Sequence, residues 1–172
     1  MSNKVLHFKE VLVSTLASAL IFGPATVFAA TSADVTATVT IQNVSVSVSD
    51  GSVAYGTVSA SATEDTTSNG VNDSQTASND GNVTEDINIR GADSSNWTLA
   101  GTAGVDTYVH KFCTTTCDSS PTWTALTTSN QTLASSVSAS GNQVFDLQFS
   151  APTSSTTFTE ETLTVTVQAS AS

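Results

Sequence analysis

Residues 33–49 read ADVTATVTIQNVSVSVS, with an apolar residue at nearly every second position and Ser, Thr or Asp between. Side chains alternate faces along a strand, so the run predicts a long ribbon with one apolar face and one hydroxyl face. Its phase breaks once. Val35, Ala37, Val39 and Ile41 fall on odd positions, whereas Val44, Val46 and Val48 fall on even ones. One residue must therefore be absorbed near Gln42 and Asn43, by a bulge or by the strand crossing between sheets. Ser49-Asp50-Gly51-Ser52 follows with the Asp-Gly signature of a two-residue hairpin. That turn would set Val48 opposite Val53 and Val46 opposite Tyr55, two apolar pairs on one face.

Further along, residues 59–80 are dominated by Ser, Thr, Asn, Asp and Gly, with Val71 the one large apolar residue, and predict a long polar loop with room for a short edge strand. Strand patterns then recur at residues 83–90, 96–99, 106–113, 122–126, 143–150 and 161–168. Residues 106–113 alternate Tyr108, His110 and Phe112 against Val109 and Lys111. Residues 143–150 alternate Phe145, Leu147 and Phe149, and residues 161–168 place Leu163, Val165 and Val167 on one face. Eight to ten short strands, no helical spacing after residue 30 and no fixed repeat predict an all-β chain. The expected fold is a single antiparallel β-sandwich, jelly-roll or Ig-like, with Trp97, Trp123, Tyr108 and the Phe residues supplying its core volume.

Ahead of this domain, Lys4 and Lys9 precede an apolar segment over residues 11–28, and Val27-Phe28-Ala29 supplies the residues of a cleavage site before Ala30. A basic head, an apolar middle and a small-residue cut describe a secretory signal peptide, residues 1–29, leaving a domain over residues 30–172. Gly23 and Pro24 interrupt the apolar run and no basic cluster follows it, which speaks against a retained anchor and predicts no membrane association after cleavage. Export sets the redox context, in which Cys113 and Cys117 are expected to form a disulfide. A zinc site would recruit His110, but structural zinc takes four ligands and residues 30–172 hold no other Cys or His.

Cleavage would remove two of the four basic residues and one of the 15 acids, leaving Arg90 and Lys111 in a body of net charge about −12. Such a body is repelled by phosphate backbones and anionic headgroups, which argues against nucleic acid as a partner. More than a third of residues 30–172 are Ser or Thr, a composition suited to strands and turns.

Candidate chemistry is sparse. His110 sits on an alternating strand with no nucleophile-elbow motif beside it, Glu160 and Glu161 are adjacent instead of facing across a cleft, and no zinc-protease, P-loop or dinucleotide fingerprint occurs. The expectation is a non-enzyme. Calcium is the best small-ligand candidate, because Asp65, Asn69, Asp73 and Asp80 belong to a segment rich in the oxygen ligands that calcium takes. Asp65-Thr66-Thr67-Ser68-Asn69-Gly70 copies the opening of an EF-hand loop but has Thr67 at its third position, Thr76 at its twelfth and no flanking helices. Asx-rich loops also form simply because Asn, Asp and Gly make turns. Sequons stand at Asn43, Asn72, Asn82, Asn96 and Asn130. A carbohydrate site would use Trp97 or Trp123 as stacking platforms, although each lies in an apolar strand where core packing is the commoner fate.

Self-association has the clearest motive. Residues 35–49 carry no charge, and Val35, Ala37, Val39 and Ile41 form a strand face that could complete a neighbour's sheet by β-augmentation. The alternative is that this first strand pairs within its own fold with the last one, over residues 163–167, as such edges usually do. Val53-Ala54-Tyr55-Gly56-Thr57-Val58, then Asn79-Asp80-Gly81-Asn82-Val83 and Ile87-Asn88-Ile89, resemble the corresponding stretches of TasA-like secreted prokaryotic fibre subunits. The Asn-x-Gly-Asn piece is also shared with many Ig-like surface domains. The resemblance implies a jelly roll, a place at the cell surface and subunits joined by donor-strand exchange, residues 30–43 being the donor strand.

Overall fold

The computed structural model describes residues 31–172, and the expected signal peptide lies outside them. The chain divides into two compact units, residues 1–39 and 40–172. In the first, residues 31–39 form no strand, and Val35 and Val39 are exposed.

The second unit is all-β among the described residues. Its ten strands are β1 (Val46–Val48), β2 (Thr63–Asp65), β3 (Gln75–Asn79), β4 (Glu85–Gly91), β5 (Thr98–Leu99), β6 (Thr107–Cys113), β7 (Thr124–Ala125), β8 (Gln131–Val137), β9 (Asn142–Ser150) and β10 (Val165–Ala171). One sheet runs β1-β3-β9-β6-β5, with β2 also on β9 and β7 also on β6; the other runs β10-β4-β8. The two pack together as a β-sandwich. Period-two alternation explains the core directly. Tyr108 and Phe112 from β6, Phe145, Leu147 and Phe149 from β9, and Ile87 and Ile89 from β4 all point inward and are buried. Val165 and Val167 of β10 pack on that core from the edge of the smaller sheet.

Three expectations are corrected. Val48 does not face Val53, because β1 pairs antiparallel with β3, Val46 opposite Asn79 and Val48 opposite Ala77. Asp50 and Gly51 do adopt the positive φ values (61° and 72°) that an Asp-Gly turn requires. However, Ser49 N–H donates to Thr76 O (2.9 Å), so the chain stays on β3 and leaves the turn without folding back on β1. Second, the segment read as a polar loop with a short edge strand holds that edge strand, β2, which pairs with β9 alone, and also β3, an interior strand between β1 and β9. Its inward positions are Gln75, Ala77 and Asn79, two of them polar, which hid it. Third, the final strand begins at Val165 and pairs only with β4 among the described residues, while residues 31–45 hold no strand. The pairing of the first apolar run with the last strand is not made.

Cys113 and Cys117 form a disulfide (Cα–Cα 5.9 Å) in the connection from β6 to β7. β7 returns antiparallel on β6, Lys111 opposite Ala125 and Phe112 opposite Thr124. The oxidised pair fits an extracellular-type, oxidising environment. Replacing both cysteines with serine is expected to cost about 2 kcal/mol, from the chain-entropy value of so short a ring, measured as a lowered urea midpoint. No helix among the described residues is long and apolar enough to cross a membrane.

Candidate functional site: an open slot between the sheets

The edges of the two sheets meet where β1 lies against β10. Beyond that meeting, residues 53–58, which continue from β1, and residues 158–164, which lead into β10, border a groove of about 1060 Å³. Its floor is the inner face of β9, at Phe145, Leu147 and Phe149, with His110 of β6 beside it. Both bordering segments have a strand's alternation: Val53, Tyr55, Leu163 and Val165 are half-buried against the core, and Ala54, Thr162 and Thr164 are exposed. Neither is a strand. Among the described residues, no hydrogen bond involves a backbone N–H or C=O of residues 53–58 or of residues 158–163, and Thr164 leads directly into the pairing of β10 with β4. Backbone groups of this kind normally find partners, so two unpaired segments beside an apolar floor have the chemistry of a sheet lacking a strand.

Below the slot lies a ring cluster. Phe149 stacks on Tyr55 (centroids 5.4 Å apart) and on Trp97 (6.2 Å), and lies against Tyr108 (6.1 Å) and edge-on to His110 (6.4 Å). Tyr55 Oη is 3.0 Å from His110 Nε2, while His110 Nδ1 is buried without a partner among the described residues. Burial pushes the imidazole down to about 4, so it is neutral at ordinary pH. Burial, then the nearby carboxylates of Asp65, Asp73 and Asp146, push the Tyr55 hydroxyl well above its usual range. Trp97 donates from Nε1 to Ser155 Oγ (2.9 Å) and has a face on Phe149, so it serves the core and is not a free stacking platform. Trp123 is half-buried beside β7.

The proposed calcium residues do not converge. Asp65 Oδ1 accepts from Thr67 N (3.2 Å) and Thr67 Oγ1 (2.6 Å), tying its own turn. Asn69 Nδ2 donates to Asp118 O, and Asp73 Oδ1 accepts from Gln75 Nε2. Asp73 precedes β3 and Asp80 follows it, so the strand holds them about 20 Å apart. No three His, Cys, Asp or Glu side chains gather into a possible metal site among the described residues.

The root of the N-terminal segment is held tightly. Asn43 N–H donates to Asn82 Oδ1 (2.8 Å), Asn82 N–H to Asn43 O (3.1 Å) and Asn82 Nδ2 to Ile41 O (2.8 Å). Asp80 N–H donates to Ser45 O (2.8 Å) and Ser45 N–H to Glu85 Oε1 (2.9 Å). The phase break expected at Gln42 and Asn43 falls within this pinned stretch, and the apolar residues ahead of it, Val35, Val39 and Ile41, are 93%, 87% and 79% exposed. Sequence reasoning missed the slot because its borders look like ordinary strands; the available signal was that neither has an assignable partner on both edges. Comparison with protein-family models, with curated proteins and with solved structures finds no match for this chain.

Proposed function

We propose that this is a non-enzymatic, secreted structural protein of the cell surface whose copies join by strand exchange, residues 35–41 of one copy filling the slot of the next. The observation that carries the reading is the slot itself, an apolar floor between two segments whose backbones have no partner among the described residues. The fit of the occupant rests on length, register and charge. Seven residues in strand conformation span about 23 Å, close to the reach of the six- and seven-residue borders. The segment carries no charge from Val35 to Ser49, so the acidic body of a second copy does not repel it.

Register favours a second copy over the same one. Residues 41–45 are pinned at the end of β1 remote from the slot. A segment folding back there about Asn43 sets residue 33 opposite 53, and leaves Val35, Ala37, Val39 and Ile41 over β1 and its turn. The apolar face falls short of the slot in its own molecule and fits it in a neighbour's. The two-sheet fold then reads as a jelly roll completed by a partner's strand, in agreement with the resemblance to TasA-like subunits.

Electron microscopy of the protein lacking residues 1–29, compared with a variant that also lacks residues 30–43, tests the reading. Filaments from the first and none from the second are expected, with the truncated protein still folded. A monomer in both cases, or equal filaments from both, ends the proposal.

A further inference from the structure

The two borders of the slot are each held by a side chain. Residues 53–58 are fixed by Tyr55, whose ring stacks on Phe149 and whose hydroxyl lies 3.0 Å from His110 Nε2. Among the described residues, the only hydrogen bonds of residues 158–163 are those of the Glu161 carboxylate. Its Oε2 accepts from Ser94 Oγ (2.8 Å) and from Asn96 N–H (3.3 Å), and its Oε1 accepts from Asn96 Nδ2. The turn it grips is bonded to itself. Ser94 N–H donates to Trp97 O and Trp97 N–H to Ser94 Oγ, both at 2.9 Å, and the Trp97 ring stacks on Phe149 of the slot floor. Leu163 adds an apolar contact between this border and the core. Ahead of Glu161, Phe158 is 93% exposed, and Glu160 is exposed and takes no part in the tether.

A strand is ordinarily fixed by backbone hydrogen bonds to its neighbour, and these consume its donors and acceptors on that side. A segment anchored through a side chain keeps its backbone N–H and C=O groups free. We propose that Glu161 is the latch of the slot, a positioning residue that holds residues 158–163 as a ready wall for the incoming strand and leaves their backbone open to it. The identity of that strand, residues 35–41 of a second copy, rests on the strand-exchange reading. Hydrogen bonds to a carboxylate are charge-assisted and stronger than neutral ones, which suits a single side chain to this task. A wall held in place before the strand arrives removes an ordering cost that would otherwise fall on association.

The test measures the protein left soluble once filaments have formed, for the wild type over residues 30–172 and for Glu161→Ala, Glu161→Gln and Glu160→Ala. Glu161→Ala is expected to raise that concentration about tenfold, the cost of fixing one residue's backbone at association. Glu161→Gln keeps an acceptor for Asn96 and should raise it less. Glu160→Ala removes the same charge and should leave it unchanged. No rise in Glu161→Ala overturns the latch, and so does an equal rise in Glu160→Ala, which is a general effect of charge. If Glu161→Ala does not fold, Asn96→Ala, which withdraws a donor from the other side, takes its place with the same two outcomes. If the wild type forms no filaments, the strand-exchange reading falls, and chymotrypsin cleavage after the exposed Phe158 reads the latch by itself. Cleavage about tenfold faster in Glu161→Ala than in the wild type and Glu160→Ala supports the latch, and equal rates remove it.

Discussion

Phe149→Ala is expected to remove about 3–5 kcal/mol of folding stability, the range for deleting a buried aromatic ring from a packed core. Phe149 is 3% exposed and is the one ring that touches Tyr55, Trp97, Tyr108 and His110 together. Its loss opens a cavity between β6, β9 and the segment carrying Tyr55. That segment has no backbone hydrogen bond among the described residues, so it is free to settle into part of the cavity, which favours the lower end of the range. Urea denaturation followed by tryptophan fluorescence measures the effect, since Trp97 stacks on the missing ring. A loss below about 1 kcal/mol would mean that the cluster is not the centre of the core. Phe158→Ala is the matched control, an exposed ring (93%) whose removal leaves the midpoint within about 0.5 kcal/mol.

Acidification from pH 6.5 to about 4 is expected to cost about 3 kcal/mol through His110 alone. The imidazole binds its proton near pH 6.5 in the unfolded chain and only near 4 in the fold, because burial disfavours the charged form. Between those values the unfolded state holds more protons, so stability falls as pH falls. Tyr55 and Tyr108 pack against the ring and remain neutral throughout, and the carboxylates of Asp65, Asp73 and Asp146 act on Tyr55. Hydrogen bonds hold the surface carboxylates of Asp86, Asp106, Asp118 and Glu161 below their usual range. Their contribution is present above the ordinary carboxylate range and is lost at lower pH than the histidine window. Urea midpoints of the wild type and His110→Gln, taken across pH 4–7, separate the two effects: the variant is expected to be flat where the wild type slopes. At the other extreme, burial pushes the Tyr108 hydroxyl up to about 12, so stability is present below pH 10 and declines as pH rises towards that value.

What could be read from the sequence depended on which face each strand turns inward. β4, β6 and β9 were legible because Ile87, Ile89, Tyr108, Phe112, Phe145, Leu147 and Phe149 mark one face with period two. β3 was not, since Gln75 and Asn79 are buried by hydrogen bonds instead of by apolar contact: Asn79 Nδ2 donates to Val83 O and Val137 O. β8 escaped for a similar reason, with Leu133 its only core residue. The Asp50-Gly51 turn was right in its local dihedrals and wrong in its consequence, because β3 already holds β1 and a turn cannot choose its strand's partner. The slot failed to show for a related reason. Alternation reports that one face of a segment is buried, and is silent on whether its backbone is paired. The candidate calcium ligands were grouped by proximity in sequence, whereas β3 carries Asp73 and Asp80 to opposite ends.

The clamp around Asn43 also has a mechanical side. The contacts of Ile41, Asn43 and Ser45 with residues 79–85 and the ladder of β1 on β3 lie side by side along one short stretch of chain. Antiparallel ladder bonds run perpendicular to their strands, so tension applied along β1 from its N-terminal end loads them together, in shear, instead of one after another as in unzipping. A chain pulled by that end should resist with the sum of these bonds before the sandwich behind them feels the load.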